Sequence, residues 1–226
     1  MIEDPPIKTR IVVLISGSGS NLQAFIDARD DHQLNAELVA VISNRPEAGG
    51  LARAAHAGII SRVIDHRDYP ERIEFDRALA TAVAEYAPDL VILAGFMRIL
   101  SSEFVDQFSG RMLNIHPSLL PKYPGLNTHQ RALDAGDTEA GATVHFVTSK
   151  LDGGPQIVSG AVAIANGDNA DDVAAKVLDI EHLIYPMAAQ WYCETRLSMQ
   201  DGATLLDGEV LPTTGQTIKL AGKTAK

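Results

Sequence analysis

Residues 10–26, RIVVLISGSGSNLQAFI, decide how this chain folds. From Arg10 to Ile15 the sequence is an apolar run without alternation, the pattern of a strand covered on both faces. It ends in Ser16-Gly17-Ser18-Gly19-Ser20-Asn21, after which Leu22, Phe25 and Ile26 recur at helical spacing. A buried strand, a glycine-rich turn and a helix in that order open a βαβ unit, so a parallel sheet with helices packed on it is expected. The turn also has a chemical reading. The first N–H groups of a helix have no partner within it, and together with the positive end of the helix dipole they hold anions. Ser20 and Asn21 add side-chain donors, and either could instead cap the helix. A dinucleotide fingerprint needs a third glycine where Leu22 stands and an acid where Ser43-Asn44 close the second strand. With both missing, a monophosphate is the better ligand and no nicotinamide cofactor is expected.

Working outward, Leu38–Ile42 reads as a second strand, residues 48–57 as an alanine-rich helix and Val63–Ile64 as a short strand. Arg72–Tyr86 is amphipathic, with Phe75, Leu79, Ala82 and Val83 on one helical face. Leu90–Leu93 and Met112–Ile115 are further apolar strands. After residue 140 the pattern turns to paired β-runs, Ala142–Val147 and Ile157–Ile164, followed by a long helix over 170–193 that Pro186 should end or kink. Leu205–Leu211, around Asp207-Gly208, reads as a small hairpin. Beyond Pro212 there are few large apolar residues, so 213–226 are expected to be a frayed tail. Neither repeats nor a linker interrupt the pattern. The expectation is one α/β domain over 1–212, doubly wound on a mostly parallel sheet, with a small C-terminal β-hairpin.

Composition sets limits on function. The 226 residues are 46% hydrophobic and 21% charged, as in an ordinary globular chain. Nineteen basic against 29 acidic residues give a net charge of −10, which disfavours nucleic acid as a partner. One cysteine, Cys193, rules out an internal disulfide framework and a multi-cysteine zinc site, and reads as a small buried hydrophobe. The seven histidines show no metal-ligand spacing, so no metal is expected. No apolar run reaches the ~18 residues of a membrane span. The segment Met1–Ile7 lacks the basic start and apolar stretch of a signal peptide, so a cytoplasmic location is expected.

The polar signal lies after the fifth strand. In Asn114-Ile115-His116-Pro117, alternation puts Asn114 and His116 on one face, at the carboxyl end of the sheet where open α/β folds bind ligands. An amide donor beside an imidazole suits a carbonyl that gains negative charge while a proton moves. Residues 118–128 then form a loop punctuated by proline and glycine, long enough to be a binding element. Asp152 stands in a second glycine-rich turn, where it either serves turn geometry or orients and charges His116.

The turn SGSGSNLQA at 16–24, LAGFMRIL at 93–100, NIHPSLLPKYPGLNTH at 114–129 and LDGGP at 151–155 closely resemble the phosphoribosylglycinamide formyltransferase family, folate-dependent enzymes of purine synthesis. The similarity runs from about Arg10 to Pro212, and the sixteen-residue block is its most specific part. The resemblance implies a Rossmann-like formyltransferase fold and transfer of the formyl group of 10-formyltetrahydrofolate, a co-substrate, to the amine of glycinamide ribonucleotide. It implies catalytic roles for Asn114, His116 and Asp152. It places the substrate phosphate at Gly19, Ser20 and Asn21, and the ribose near Glu181. Folate contacts fall on Arg72, Met97, Arg98, Ile99 and Leu100, and again on Asn114. Two positions depart from relatives: Asn127, where histidine is frequent, is assigned no chemistry, and Ser18 replaces an asparagine without expected consequence. The nearest rival is 10-formyltetrahydrofolate hydrolase, which usually carries an extra N-terminal regulatory domain, whereas about nine residues precede the first strand here. Methionyl-tRNA formyltransferase needs a further domain and a basic surface. A non-catalytic nucleotide-binding module would have little use for the 114–128 segment. Small-molecule partners are expected, with neither nucleic acid nor membrane, and monomer and homodimer both stay open.

Overall fold

The computed structural model describes residues 8–219, so the absent signal peptide read at Met1–Ile7 lies outside the described residues. Strand β1 (Thr9–Ile15) lies inside an eight-stranded sheet, and Ile11 through Ile15 are all fully buried, as the unbroken apolar run requires. Helix α1 (Ser20–Asp30) follows at once. The chain then makes β2 (Ala36–Ser43), α2 (Gly50–His56) and β3 (Ser61–Val63), stepping outward along one side of β1. After α3 (Arg72–Ala84) it crosses back to lay β4 (Leu90–Leu93) against the other side of β1. This reversal makes the gap between β1 and β4 a topological switch point, where the two connecting loops part and leave a crevice. Helix α4 (Ser102–Gln107) and β5 (Met112–His116) continue in the same direction, with β5 parallel to β4.

Beyond β5 come α5 (Thr128–Asp134), β6 (Glu139–Phe146) and β7 (Gln156–Ala163). Strand β6 is antiparallel to both β5 and β7, and its register sets Thr143 opposite His116 and His145 opposite Asn114. The long helix α6 (Ala170–Cys193) then returns across the sheet. Strands β8 (Leu197–Gln200), β9 (Ala203–Leu206) and β10 (Glu209–Val210) form a separate antiparallel sheet, and β11 (Gln216–Lys219) joins the edge of the main sheet parallel to β7. The order is β11-β7-β6-β5-β4-β1-β2-β3. This is the doubly wound, mostly parallel α/β architecture expected.

Alternate side chains of β1 supply the two cores. Ile11, Val13 and Ile15 face Leu22 and Phe25 of α1 and Val177, Ile180 and Ile184 of α6. Val12 and Leu14 face Phe75, Leu79 and Val83 of α3 and Phe104 of α4. Each such burial contributes roughly 1.5–3 kcal/mol. Tyr185 on α6 is fully buried edge-on to Phe25, and its hydroxyl lies 3.0 Å from the Leu93 carbonyl and 2.9 Å from that of Leu113. It therefore ties α6 to the carboxyl end of β4 and to the adjoining β5.

Several local expectations need correction. Helix α6 does not end at Pro186. The proline has no N–H to give, but its neighbours Ile184, Tyr185, Ala188 and Ala189 are fully buried and hold the helix through it. The C-terminal hairpin has a third strand, β8, paired with β9. The frayed tail expected over 213–226 is wrong for Gln216–Lys219, which gain ladder hydrogen bonds from the edge of β7; residues 220–226 lie outside the described residues. No helix among the described residues is long and apolar enough to cross a membrane.

Candidate functional site

The site stands at the carboxyl ends of β1, β4 and β5, beside the switch point. At the first of these, Gly19 takes a left-handed conformation (φ 73°) and no side chain caps α1, so neither Ser20 nor Asn21 acts as the cap. The first satisfied N–H of the helix is that of Gln23, which donates to the Gly19 carbonyl at 2.9 Å. Among the described residues no acceptor faces the N–H groups of Ser20, Asn21 and Leu22, which leaves an anion-accepting helix start. Ser16 bridges the crevice: its hydroxyl donates to Asn44 Oδ1 (2.6 Å) and accepts from the Met97 N–H (2.8 Å). The turn after β1 is thereby joined to the loop after β4.

Asn21 is also the link to α6. Its Nδ2 donates to Glu181 Oε2 at 2.6 Å, while its Oδ1 is buried without a partner. Glu181 is itself buried, and that burial pushes its carboxyl up to about 7 in spite of the Asn21 hydrogen bond. Here a group that accepts or gives a proton near neutrality sits next to an unused acceptor.

The second cluster is built by β5, β6 and the turn after β6. Asn114 and His116 leave the same face of β5. The turn that carries Asp152 packs on the end of β6 because Gly154 has no Cβ; one there would overlap the Phe146 carbonyl oxygen. Asp152, at φ 47°, projects its carboxylate back over the site. Its Oδ2 lies 3.4 Å from His116 Nδ1 and accepts from the Gly125 N–H at 2.9 Å, and both side chains of the ion pair are nearly sequestered. His116 Nε2 lies 2.8 Å from the Tyr123 carbonyl. Each ring nitrogen thus faces an oxygen, Asp152 Oδ2 on one side and the Tyr123 carbonyl on the other.

His145, which the sequence reading set aside with the other histidines, belongs to this cluster. Its Nδ1 donates to the Phe146 carbonyl (2.8 Å), so Nε2 is left to accept from Asn114 Nδ2 at 3.2 Å. Burial keeps this imidazole below the usual histidine range, despite Asp152 Oδ1 at 3.9 Å from Nε2. The available signal was its position in a strand pairing antiparallel with Asn114, which spacing along the chain does not reveal.

The loop over 117–127 is fastened to these groups. Beyond the bonds to His116 and Asp152, Thr143 Oγ1 donates to the Ser118 carbonyl (2.7 Å) and accepts from the Leu120 N–H (3.1 Å). Asp137 takes an ion pair from Lys122 (2.9 Å) and a hydrogen bond from the Tyr123 hydroxyl (2.9 Å). Asn127 sits at the head of α5 in a left-handed conformation and makes no side-chain cap.

On the other side of the crevice, Met97 and Ile99 are exposed large apolar residues on the loop after β4, with Leu100 half-buried behind them. The Arg98 guanidinium lies over the Phe75 ring, 4.9 Å from its centre, and its Nε is buried without a partner. Arg72 opens α3 one turn before Phe75; it is exposed and has no ion-pair partner among the described residues. Two cations and an apolar ledge therefore share one corner. Cys193 is half-buried far along α6, and burial pushes its thiol up to about 11, which leaves it inert as a nucleophile.

The chain is similar to proteins of known family over most of its length. The chain is 52% identical over 205 residues to the phosphoribosylglycinamide formyltransferase of Escherichia coli K12, covering 91% of this chain and 97% of that protein. The phosphoribosylglycinamide formyltransferase of Coxiella burnetii superposes with a TM-score of 0.90 at 47% identity, over 93% of this chain and 99% of the other. A formyltetrahydrofolate deformylase of Pseudomonas putida superposes with a TM-score of 0.81 at 29% identity, covering 90% of this chain and 71% of that one. The formyl transferase family model matches residues 9–189, and on that match and these relatives the chain belongs to the formyl transferase family.

Proposed function

We propose that this protein transfers the formyl group of 10-formyltetrahydrofolate to the amine of glycinamide ribonucleotide, in purine synthesis, without a metal or nicotinamide. The observation that carries the reading is the convergence of Asn114, His116 and Asp152 beside the switch point, with His116 Nδ1 3.4 Å from Asp152 Oδ2. The ribonucleotide phosphate binds the open N–H groups after Gly19, helped by Ser20 and Asn21. Its ribose hydroxyls meet the unused Asn21 Oδ1 and the Glu181 carboxyl. The folate lies along Met97, Arg98, Ile99 and Leu100, with Arg72 and Arg98 facing its carboxylates.

In the reaction the substrate amine attacks the formyl carbon, a C–N bond forms, and the carbonyl oxygen becomes an oxyanion. Asn114 Nδ2 donates one hydrogen to that oxygen, a type of contact worth ~3–4 kcal/mol where it has been removed. His116, charged and oriented by Asp152, adds positive charge beside the oxyanion and carries a proton. As the bond to the folate nitrogen breaks, that nitrogen gains a proton and the amine loses one. The likeness to a deformylase keeps hydrolysis as the second reading. Folate absorbance, followed with and without the ribonucleotide, separates the two. Turnover that requires the ribonucleotide is expected; equal turnover in its absence would make this a hydrolase, and no turnover with either would leave a binding module.

A further inference from the structure

We propose that Arg53, on α2, is the positioning residue of the phosphate turn and supplies its positive charge; this rests on reading the turn after Gly19 as the ribonucleotide-phosphate site. A glycine-rich turn can present either carbonyls or N–H groups to a ligand, and only the second choice welcomes an anion. Here the carbonyls of Gly17, Ser18 and Gly19 are each engaged by a donor of the protein itself. The Gly17 carbonyl accepts from the Gly50 N–H (3.1 Å), the Gly19 carbonyl from Gln23 (2.9 Å), and the Ser18 carbonyl from Arg53 Nε (2.9 Å). The last is the one side-chain bond of the three, so it is the one that sequence can set.

Arg53 is fixed for this role from both sides. Its Nη1 donates to Gln23 Oε1 at 3.1 Å, and Gln23 Nε2 donates on to Asp27 Oδ1 at 2.8 Å, so the guanidinium is bound to the first turns of α1 as well as to the turn itself. The backbone of α2 lies against the turn closely enough that a Cβ on Gly19 would come within 2.6 Å of Gly50 Cα and 3.4 Å of Arg53 Cδ. Because the bond is to the backbone of residue 18, the serine found there in place of asparagine leaves it intact. Against a net charge of −10, Arg53 brings a half-buried positive charge to the anion's turn.

The test uses Arg53→Met, which keeps the stem and removes donors and charge, and Arg53→Lys, which restores a charge and one donor. For Arg53→Met the KM for glycinamide ribonucleotide rises about tenfold, while the KM for 10-formyltetrahydrofolate moves less than about twofold; Arg53→Lys recovers part of the loss. An unchanged ribonucleotide KM, both KM values moving together, or a deficit that lysine does not reduce would overturn the proposal. A second measurement needs no turnover. Inorganic phosphate at constant ionic strength raises the thermal midpoint of the wild-type chain and not that of Arg53→Met. Equal shifts in the two, or none in the wild type, also overturn it. Should the wild type fail to formylate the ribonucleotide, the functional reading falls and the phosphate titration still decides the role of Arg53.

Discussion

Asn114 and His145 are register partners on β5 and β6, and the amide nitrogen of one lies 3.2 Å from Nε2 of the other. The pairing settles which end of the amide faces the site. His145 Nδ1 must donate to the Phe146 carbonyl, so Nε2 can only accept, and Asn114 must present NH2 to it and not its oxygen. One amide hydrogen goes to His145, and the other is left for the oxyanion of the proposed reaction.

His145→Phe removes that constraint while keeping a planar side chain in the strand. The Asn114 amide is then able to rotate its oxygen into the site, and the expected result is a kcat lower by roughly tenfold or more with both KM values within about threefold. Steady-state kinetics under saturating folate measure it. A kcat within twofold of wild type would mean that Asn114 needs no orienting partner.

Asp152→Asn tests the ion pair with His116. The amide oxygen can still accept from the Gly125 N–H, so the loop keeps its anchor, but the negative charge 3.4 Å from His116 Nδ1 is lost. Turnover should fall by about 100-fold or more with little change in substrate affinity, in line with losses seen when a buried carboxylate that orients a catalytic histidine is neutralised. Wild-type turnover in this variant would remove Asp152 from the mechanism.

How much of this was legible in the sequence depends on how local each cause is. The unbroken apolar run to Ile15, the strand Leu90–Leu93 and the helix 170–193 follow from neighbouring residues alone, and the structure has them where the pattern puts them. Helices α4 and α5 escaped because six or seven residues give too short a window for a helical period, and neither has the alanine-rich composition that marks α2 at the same length. Strand β11 escaped because QTIK is made a strand by the open edge of β7, not by its own composition. The site divides in the same way. Asn114 and His116 are two apart on one strand, so alternation joins them. Asp152 reaches them through the close packing of Gly154 on β6, and His145 through antiparallel register, and neither cause is visible along the chain.

Glu181 makes stability depend on pH. Burial raises its carboxyl from 4.5 to about 7, so between those values the folded chain holds a proton that the unfolded chain has released. Stability therefore falls as pH rises through that window, by up to ~3 kcal/mol from this group. Glu181→Gln keeps an acceptor for Asn21 and has no charge to bury. The variant should match the wild type near pH 4 and exceed it by ~1–3 kcal/mol at pH 8, as read from urea unfolding at the two pH values. Parallel stability profiles for the two chains would show that Glu181 is solvated as a carboxylate.

The two adjacent glycines of the Asp152 turn should respond unequally to the same change. A methyl group at Gly154 would overlap the Phe146 carbonyl oxygen, a backbone atom held in β6, so the turn itself has to move. A methyl group at Gly153 would meet only the aliphatic stem of Lys150, which can swing aside into solvent. Gly154→Ala should cost ~2–4 kcal/mol in unfolding free energy, whereas Gly153→Ala should stay within ~1 kcal/mol. The kinetic consequence is the sharper test. Asp152 stands two residues before Gly154, and a displacement of about 1 Å would carry its carboxylate away from His116, where such misplacement costs on the order of 100-fold in rate. Gly154→Ala measured well below its unfolding midpoint should therefore lose turnover even in the fraction that is folded, and Gly153→Ala should keep it. If the folded fraction of Gly154→Ala turned over as fast as the wild type, the close packing of this turn on β6 would not be what places Asp152.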